Sequence, residues 1–450
     1  MLYESTRGGA TDRTFSDVLI EGLAPDGGLY LPTDLPTAPK TATDYAEMAA
    51  RMTTPFVAPD PLADEMEEIC ARVYSGFRHP EVAPLRPLGN RRSLLELFWG
   101  PTLSFKDYAL QMVGALFDRV LARKGERLLI LGATSGDTGS AAIEACRGRE
   151  GIDIVILYPD GAVSEVQRRQ MTTVPDDNVH AVAVDGTFDD CQRLVKQGFG
   201  TLRDRFPLGA INSINWARVM AQTAYYAHAV ARLGEPAHFV VPTGNFGNVY
   251  AGHVARQMGV PIESLTVANN ANHGLADLVH SGRLSVTEVV PTLAPAMDIQ
   301  VPSNLERYLY EAMDRDPDRI RALQERLVSE GSVELDSSTL ERLQADFEAG
   351  FRTDEQVTAT IRRVYEDHEV VLDPHTAIAW SVAEELPADA PVVVVSTAHP
   401  AKFPDAVAEA TAKTPPLPAD LQHLLTDDER IERIPADIDA LEGLLGRISD

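Results

Sequence analysis

Residues 127–139 read RLLILGATSGDTG, an apolar run followed by a turn of small and polar residues. The run has the length and apolar character of a buried strand, and residues 140–146 continue with the pattern of a helix. A strand that passes through a glycine-rich turn into a helix is the repeating unit of a parallel α/β sheet. This stretch therefore predicts the fold class.

The same arrangement recurs along the chain. Further apolar runs occupy residues 152–158, 179–184, 238–241 and 391–395, and each leads into a turn or a helix. Short apolar runs that alternate with helices are typical of parallel strands covered on both faces. We predict an α/β fold with one or two open, mostly parallel sheets flanked by helices. Ligands of such sheets bind at the carboxyl ends of the strands.

The chain divides into three predicted regions. Residues 1–95 are rich in proline and turn signals and predict a separate N-terminal lobe. Residues 96–415 carry the strand–helix repeats and predict a catalytic region of two α/β subdomains with the active site between them. Within it, the charged residues 314–367 predict a helical insertion. Residues 416–450 are acidic and contain leucines, and they predict a helical tail.

The composition excludes several functions. The 450 residues carry a formal net charge of -27, which repels nucleic acid, so any anion site must be built locally from amide groups and a few cations. No apolar run approaches the length of a membrane span. The three cysteines, Cys70, Cys146 and Cys191, form no disulfide or zinc pattern, and we expect them to be buried in a protein of the reducing cytoplasm.

The first chemical motif is PTLSFKDY at residues 101–108. Apolar residues with helical spacing follow it, so Lys106 is predicted to begin a helix. The positive end of a helix dipole favours a neutral amine, and a neutral amine can attack an aldehyde to form a Schiff base. The alternative interpretation is a surface lysine at the start of a helix.

Two glycine-rich turns form the second and third motifs. They are ATSGDTG at residues 133–139 and TGNFGN at residues 243–248, and each lies between a strand and a helix. Small residues let backbone amides approach an anion at a helix N-terminus. The turn at residues 133–139 matches neither a Walker A loop nor a dinucleotide fingerprint. Ordinary strand-to-helix turns remain the alternative.

The fourth and fifth motifs are NSINWAR at residues 212–218 and STAHPAK at residues 396–402. Arg218 offers a planar fork that suits a phosphate, although a surface ion pair is the alternative. In the fifth motif, a hydroxyl at the end of the preceding strand can bond a ring nitrogen. His399 has no metal motif beside it and is consistent with a structural role.

These five motifs, in this order, resemble the threonine synthases of the enteric-bacterial and fungal group. That family belongs to the tryptophan-synthase-β-like proteins, fold type II of the pyridoxal-phosphate enzymes. Further matching segments cover nearly the whole chain. They lie at residues 5–8, 27–30, 96–98, 100–102, 296–299, 302–304 and 397–403.

The resemblance implies roles for individual residues. Lys106 would be the catalytic lysine that forms a Schiff base with pyridoxal 5'-phosphate, and Thr397 would bond the pyridine nitrogen. The other cofactor-binding residues would be Asp137, Gly244, Asn245, Phe246, Gly247 and Asn248. The substrate-binding residues would be Thr134, Ser135, Thr138, Asn212, Ser213, Asn215 and Arg218. No metal is implied.

The resemblance also implies a reaction, in which O-phosphohomoserine and water give threonine and phosphate by γ-elimination and β-addition of water. It favours a monomeric, cytoplasmic enzyme that acts on a small molecule. Three alternatives remain at this level. They are another enzyme of the fold type, such as a serine/threonine dehydratase or a β-replacement synthase, a lyase that forms 2-oxobutyrate, and a non-catalytic protein that has kept the fold.

Overall fold

The structure is a computed structural model that describes residues 1–387 and 389–449. Its strands are β1 (Tyr3–Ser5), β2 (Tyr30–Pro32), β3 (Leu85–Pro87), β4 (Arg92–Glu96), β5 (Leu128–Ala133), β6 (Ile152–Pro159), β7 (Val179–Asp185), β8 (Leu208–Gly209), β9 (Ala237–Pro242), β10 (Ile262–Asn269), β11 (Arg283–Ser285), β12 (Ser332–Glu334), β13 (Phe347–Phe351), β14 (Val392–Ser396) and β15 (Glu432–Pro435). Its helices are α1 (Phe15–Glu21), α2 (Tyr45–Val57), α3 (Met66–Tyr74), α4 (Lys106–Lys124), α5 (Asp137–Cys146), α6 (Glu165–Thr172), α7 (Phe188–Thr201), α8 (Trp216–Leu233), α9 (Gly247–Gln257), α10 (Gly274–Ser281), α11 (Leu305–Ala312), α12 (Pro317–Glu330), α13 (Ser337–Asp346), α14 (Asp354–His368), α15 (Pro374–Ala383), α16 (Pro404–Thr411) and α17 (Ile438–Ser449).

Two sheets organise the chain. The larger has the strand order β13-β10-β9-β14-β4-β3 and is parallel except for the β3–β4 pair. The smaller has the order β15-β7-β6-β5-β8 and is parallel throughout. Helices flank both sheets, and their central strands are almost fully buried. The predicted α/β fold with open, mostly parallel sheets is confirmed.

Two segments differ from the helical structure predicted for them. The insertion at residues 314–367 contains α12, α13 and α14, but it also contains β13, which forms the edge of the larger sheet beside β10. The tail at residues 416–450 contains α17, but it also contains β15, which pairs with β7 at the edge of the smaller sheet. Both strands are short and partly exposed, so they lack the apolar run by which the buried strands were predicted.

The N-terminal lobe ends earlier than the predicted boundary at residue 95, because β3 and β4 belong to the larger sheet. The preceding residues form the β1–β2 pair and helices α1 to α3. Hydrogen bonds, including an ion pair, connect this lobe to α11. The guanidinium of Arg7 donates to Glu306 at 2.8 and 3.1 Å, and the Thr6 hydroxyl donates to the same carboxylate at 2.5 Å.

The cysteines have the predicted environment, since Cys70, Cys146 and Cys191 are buried and free. Burial raises the pKa of each thiol to about 12, so none is a reactive thiolate near neutral pH. In the described parts of the chain, no helix combines the length and apolar character that a membrane span requires.

Candidate active site

A cleft opens at the carboxyl ends of strands from both sheets. It receives residues from the turns after β4, β5, β9 and β14 and from the segment between β8 and α8. Eleven of the side chains and glycines proposed from the sequence line it: Lys106, Asp137, Thr138, Ser213, Arg218, Gly244, Asn245, Phe246, Gly247, Asn248 and Thr397. The structure therefore brings together motifs that lie up to 291 positions apart, from Lys106 to Thr397.

Lys106 begins α4, as predicted, and only 8% of its surface is exposed. Its Nζ lies 3.3 Å from Oδ2 of Asp137. Burial lowers the pKa of the Lys106 amine, and the charges of Lys402 and Arg218 lower it further, while Asp137 opposes them. The predicted tendency toward a neutral amine is therefore present, but its first cause is desolvation and not the helix dipole.

Asp137 is held on both carboxylate oxygens. Its Oδ1 lies 2.8 Å from Nζ of Lys402 and accepts a hydrogen bond from Nε2 of Gln167, also at 2.8 Å. Burial would raise the pKa of this carboxyl, but the neighbouring Lys106 and Lys402 and the hydrogen bond from Gln167 outweigh burial and lower the pKa. Asp137 is thus a fixed carboxylate between two lysines. Sequence reasoning missed Lys402 and Gln167, although Lys402 lies within the fifth motif.

The second glycine-rich turn forms a wall that leaves no room for a larger residue. Phe246 has a positive φ of 65° and precedes α9, whose first amides have no intrahelical partner. A Cβ added at Gly244 would lie 2.7 Å from the carbonyl oxygen of Ala296. The turn therefore requires glycine for close packing, and it leads directly into a helix N-terminus, where an anion site is predicted.

Asn248 lies in the first turn of α9 and keeps a donor free. Its Oδ1 accepts hydrogen bonds from the hydroxyls of Tyr225 at 2.5 Å and Tyr226 at 2.9 Å, which fixes the amide orientation. Its buried Nδ2 has no partner among the described residues. A buried donor of this kind costs free energy unless a ligand accepts from it.

Arg218 is a buried cation without a counter-ion in the described chain. It lies in the first turn of α8, is 4% exposed, and has no hydrogen-bond partner at Nε or Nη1. Burial lowers the pKa of its guanidinium to about 10. An unpaired, buried guanidinium beside free amide donors is the arrangement expected for an anion site. The surface ion pair considered above is therefore excluded.

Hydrogen bonds join the Arg218 segment to the glycine-rich turn. The Ser213 hydroxyl lies 3.3 Å from the hydroxyl of Ser303, which donates to Oδ1 of Asn245 at 3.2 Å. Nδ2 of Asn304 bridges the carbonyl oxygens of Ser213 and Asn245, each at 3.1 Å. The two predicted anion-binding segments thus form one connected surface.

Four residues from the predicted set do not line the cleft. Asn215 caps α8 by accepting from the Ala217 amide at 3.0 Å, and its Nδ2 donates to the Leu19 carbonyl at 2.8 Å. Asn212 accepts from the Ile214 amide. The Thr134 hydroxyl accepts from two amides of its own turn and donates to the Gly136 carbonyl, and Ser135 is half-buried nearby. The side chains of Asn215, Asn212 and Thr134 therefore bond the backbone and do not line the cleft.

The fifth motif reaches the cleft through Thr397, which is 5% exposed and follows β14. Beside it, the cleft is lined by His375, which sequence reasoning missed. Nδ1 of His375 lies 2.9 Å from Oδ1 of Asp373, and its buried Nε2 has no partner among the described residues. His399 lies outside the cleft lining, and burial lowers the pKa of its imidazole to about 4. No group of His, Cys, Asp and Glu among residues 1–387 and 389–449 could hold a metal ion.

Comparison with known proteins agrees with the family resemblance seen in the sequence. The family described as "Pyridoxal-phosphate dependent enzyme" matches residues 94–345, "Threonine synthase N terminus" matches residues 2–74, and "Threonine synthase, C-terminal" matches residues 376–444. A threonine synthase from Pseudomonas aeruginosa is 44% identical over 99% of this chain and 98% of its own length. The chain belongs to the threonine synthase family. A member from Schizosaccharomyces pombe is 38% identical over 95% of this chain and 94% of its own.

Solved structures of threonine synthases agree over the whole fold. Pyridoxal-phosphate-bound threonine synthase from Brucella melitensis has a TM-score of 0.97 at 44% identity, and covers 100% of this chain and 99% of its own. The yeast enzyme has a TM-score of 0.94 at 35% identity, covering 100% and 98%. The chain is a pyridoxal-phosphate-dependent enzyme of fold type II. Its cleft fits that cofactor, because it offers a buried amine and unpartnered donors beside a glycine-rich helix N-terminus.

Proposed function

We propose that this protein converts O-phosphohomoserine and water to threonine and inorganic phosphate. One observation supports this proposal most strongly. The cleft contains the buried amine of Lys106 and two places that can bind an anion. One is the glycine-rich turn, and the other is the unpaired guanidinium of Arg218. A phosphorylated cofactor and a phosphorylated amino acid together require two anion-binding surfaces, and this cleft offers both.

The cofactor surface consists of Lys106, the turn from Gly244 to Asn248, Thr397 and Asp137. We propose that the amides at the start of α9 and Nδ2 of Asn248 hold the cofactor phosphate, since they are donors at a helix N-terminus. Thr397 would offer its hydroxyl to the ring nitrogen. When bound, pyridoxal phosphate supplies an aldehyde for an amine and a ring that stabilises negative charge on the neighbouring carbon.

The substrate surface consists of Arg218, Ser213 and Thr138. The guanidinium would bind the substrate phosphate and stabilise the departing anion, because a desolvated charge interacts strongly with a group that gains charge. Asn212, Asn215, Thr134 and Ser135 would support these residues and not contact the substrate, because the first three spend side-chain hydrogen bonds on the backbone.

Lys106 would move protons at the substrate. Its amine lies in the cleft with a lowered pKa, so its neutral form can accept the proton from Cα and later return one. Asp137 would keep the amine in place through the contact at 3.3 Å. The surrounding burial keeps bulk water away from the amine.

The test is an assay of threonine and phosphate with purified protein, cofactor and O-phosphohomoserine. We expect the two products in equal amounts, and neither from Lys106→Ala. Lys196→Ala is the matched control, because Lys196 is exposed on α7 and should be dispensable. Formation of 2-oxobutyrate without threonine would favour the lyase, and activity on serine or threonine alone would favour a dehydratase.

We also propose that the enzyme acts in the cytoplasm as a monomer. The buried, free cysteines are consistent with a reducing compartment. Analytical ultracentrifugation at micromolar concentration tests the oligomeric state, and a sedimenting mass of twice the 49.0 kDa chain would refute the monomer.

A further inference from the structure

Lys402 is a fully buried lysine for which the proposed reaction gives no role. It ends a short 3-10 turn, residues 400–402, after β14, and its exposed fraction is 0%. Its Nζ donates to the Thr102 carbonyl at 2.8 Å and lies 2.8 Å from Oδ1 of Asp137. Burying an ammonium group is costly unless it is paired, so its persistence here points to a specific use.

One carboxylate forms ion-pair contacts with two buried lysines. Asp137 faces Lys402 through Oδ1 and Lys106 through Oδ2. Arg218 adds a third buried cation to the same region. A second buried carboxyl, Asp107, accepts hydrogen bonds from the amide and hydroxyl of Thr102, and burial raises its pKa to about 6. The cluster therefore carries more cations than anions.

The two lysines differ in how closely they contact oxygen acceptors. Lys402 contacts two oxygen acceptors at 2.8 Å, and both require N–H donors. Lys106 contacts one oxygen of the same carboxylate, at 3.3 Å. In a low-dielectric environment, like charges on a shared carboxylate favour loss of one proton, and the amine with fewer and longer contacts loses it more readily.

We propose that Lys402 is a positioning residue that holds Asp137 in place and keeps the Lys106 amine neutral. The inference rests on the proposed role of Lys106 as the cofactor-bound lysine and base. Lys402 pairs with Asp137 through Oδ1 at 2.8 Å, so Lys106 has no full counter-charge to retain a proton. The pKa of Lys106, lowered first by burial and then by Lys402 and Arg218 against the effect of Asp137, agrees with this assignment.

The test measures the amines directly in the cofactor-free protein. The pH dependence of Lys106 acylation by acetic anhydride is followed by peptide mass spectrometry in wild type, Lys402→Met and Lys402→Arg. We expect the midpoint to rise by about one pH unit or more in Lys402→Met, because a nearby charge shifts a pKa by one to three units. Lys402→Arg keeps the charge and should stay near wild type. Lys196→Met, which removes an exposed charge, is the matched control.

A second measurement does not depend on any Lys402 variant being folded. In wild type labelled with carbon-13 at lysine Cε, the proposal requires the Lys106 resonance to titrate below the usual pKa of a lysine amine, about 10.4. A Lys106 resonance that titrates in the usual range, or an unchanged acylation midpoint in folded Lys402→Met, overturns the proposal. In the holoenzyme, the acid limb of kcat/KM should move in the same direction as the midpoint. Both amine readouts are independent of turnover, so a wild type that forms no threonine would refute the proposed reaction without changing the titration of Lys106.

Discussion

Replacing Arg218 with methionine should make the ligand-free protein more stable while weakening its use of phosphate. The guanidinium is 4% exposed, and two of its nitrogens have no partner in the described chain. Because burial lowers its pKa from the usual range of a guanidinium to about 10, the charge costs the empty fold about 3 kcal/mol. Methionine keeps most of the apolar stem and removes that cost.

The same substitution removes the cation proposed to bind the substrate phosphate. A hydrogen bond to a charged group contributes about 1.5–3 kcal/mol, which corresponds to roughly 10- to 150-fold in kcat/KM. Wild type should also gain stability from inorganic phosphate, because a ligand that binds only the folded state stabilises it. Arg218→Met should lose that gain.

Urea unfolding of cofactor-free protein, with and without inorganic phosphate, measures the stability of the empty fold and the stability gained from phosphate. Steady-state kinetics with O-phosphohomoserine measures the change in kcat/KM. Arg433→Met is the matched control, because Arg433 is an exposed arginine paired with Asp160 at 3.4 Å. An Arg218→Met protein that is less stable than wild type without ligand, yet keeps the full gain from phosphate and wild-type kinetics, would refute the reasoning.

Three other predictions concern the cofactor surface, pH and the N-terminal lobe. Gly244→Ala should weaken cofactor binding at least 10-fold in a fluorescence titration, because its Cβ would lie 2.7 Å from the Ala296 carbonyl; unchanged affinity would contradict the close packing. Burial lowers the pKa of His228 from 6.5 to about 4, so its contribution to stability is complete above pH 6.5 and is lost as the pH falls toward 4. In urea unfolding, His228→Gln should reduce the pH dependence of the free energy of unfolding by up to about 3 kcal/mol. Glu306→Ala should destabilise the protein by about 2–4 kcal/mol and speed limited proteolysis of residues 1–74, because it leaves Arg7 unpaired; an unaltered cleavage rate would show that the lobe is held elsewhere.

The features predicted from sequence are those encoded locally. The strand–turn–helix units around β5 and β9 combine an apolar run, small residues and a helical pattern within a short stretch, so their type and order could be predicted. The short edge strands β13 and β15 could not, because their pairing depends on the neighbouring strands β10 and β7 and not on an apolar run of their own. Their partly exposed side chains resemble those of loops.

The site shows the same division between local and tertiary information. Lys106 and the turn at residues 243–248 carry recognisable local patterns, and both line the cleft. Asn215 was predicted to bind substrate, yet a polar residue before a helix serves equally well as a cap, and only the packed structure distinguishes the two uses. Lys402 and His375 were missed because a single lysine or histidine shows its burial and partners only after strands distant in sequence meet.

The position of β14 in the larger sheet determines when the cleft can form during synthesis of the chain. It lies between β4 and β9, although it follows β9 by 150 residues from the end of one to the start of the other, Pro242 to Val392. While β14 is still unmade, a nascent polypeptide has two unpaired strand edges facing a gap and no Thr397 to close the cofactor pocket. Pairings between distant segments form slowly, and open edges invite association with other chains. The growing chain therefore needs its late C-terminal residues to complete the larger sheet. Cofactor added before β14 is synthesised should not stabilise the chain, because the pocket is still incomplete.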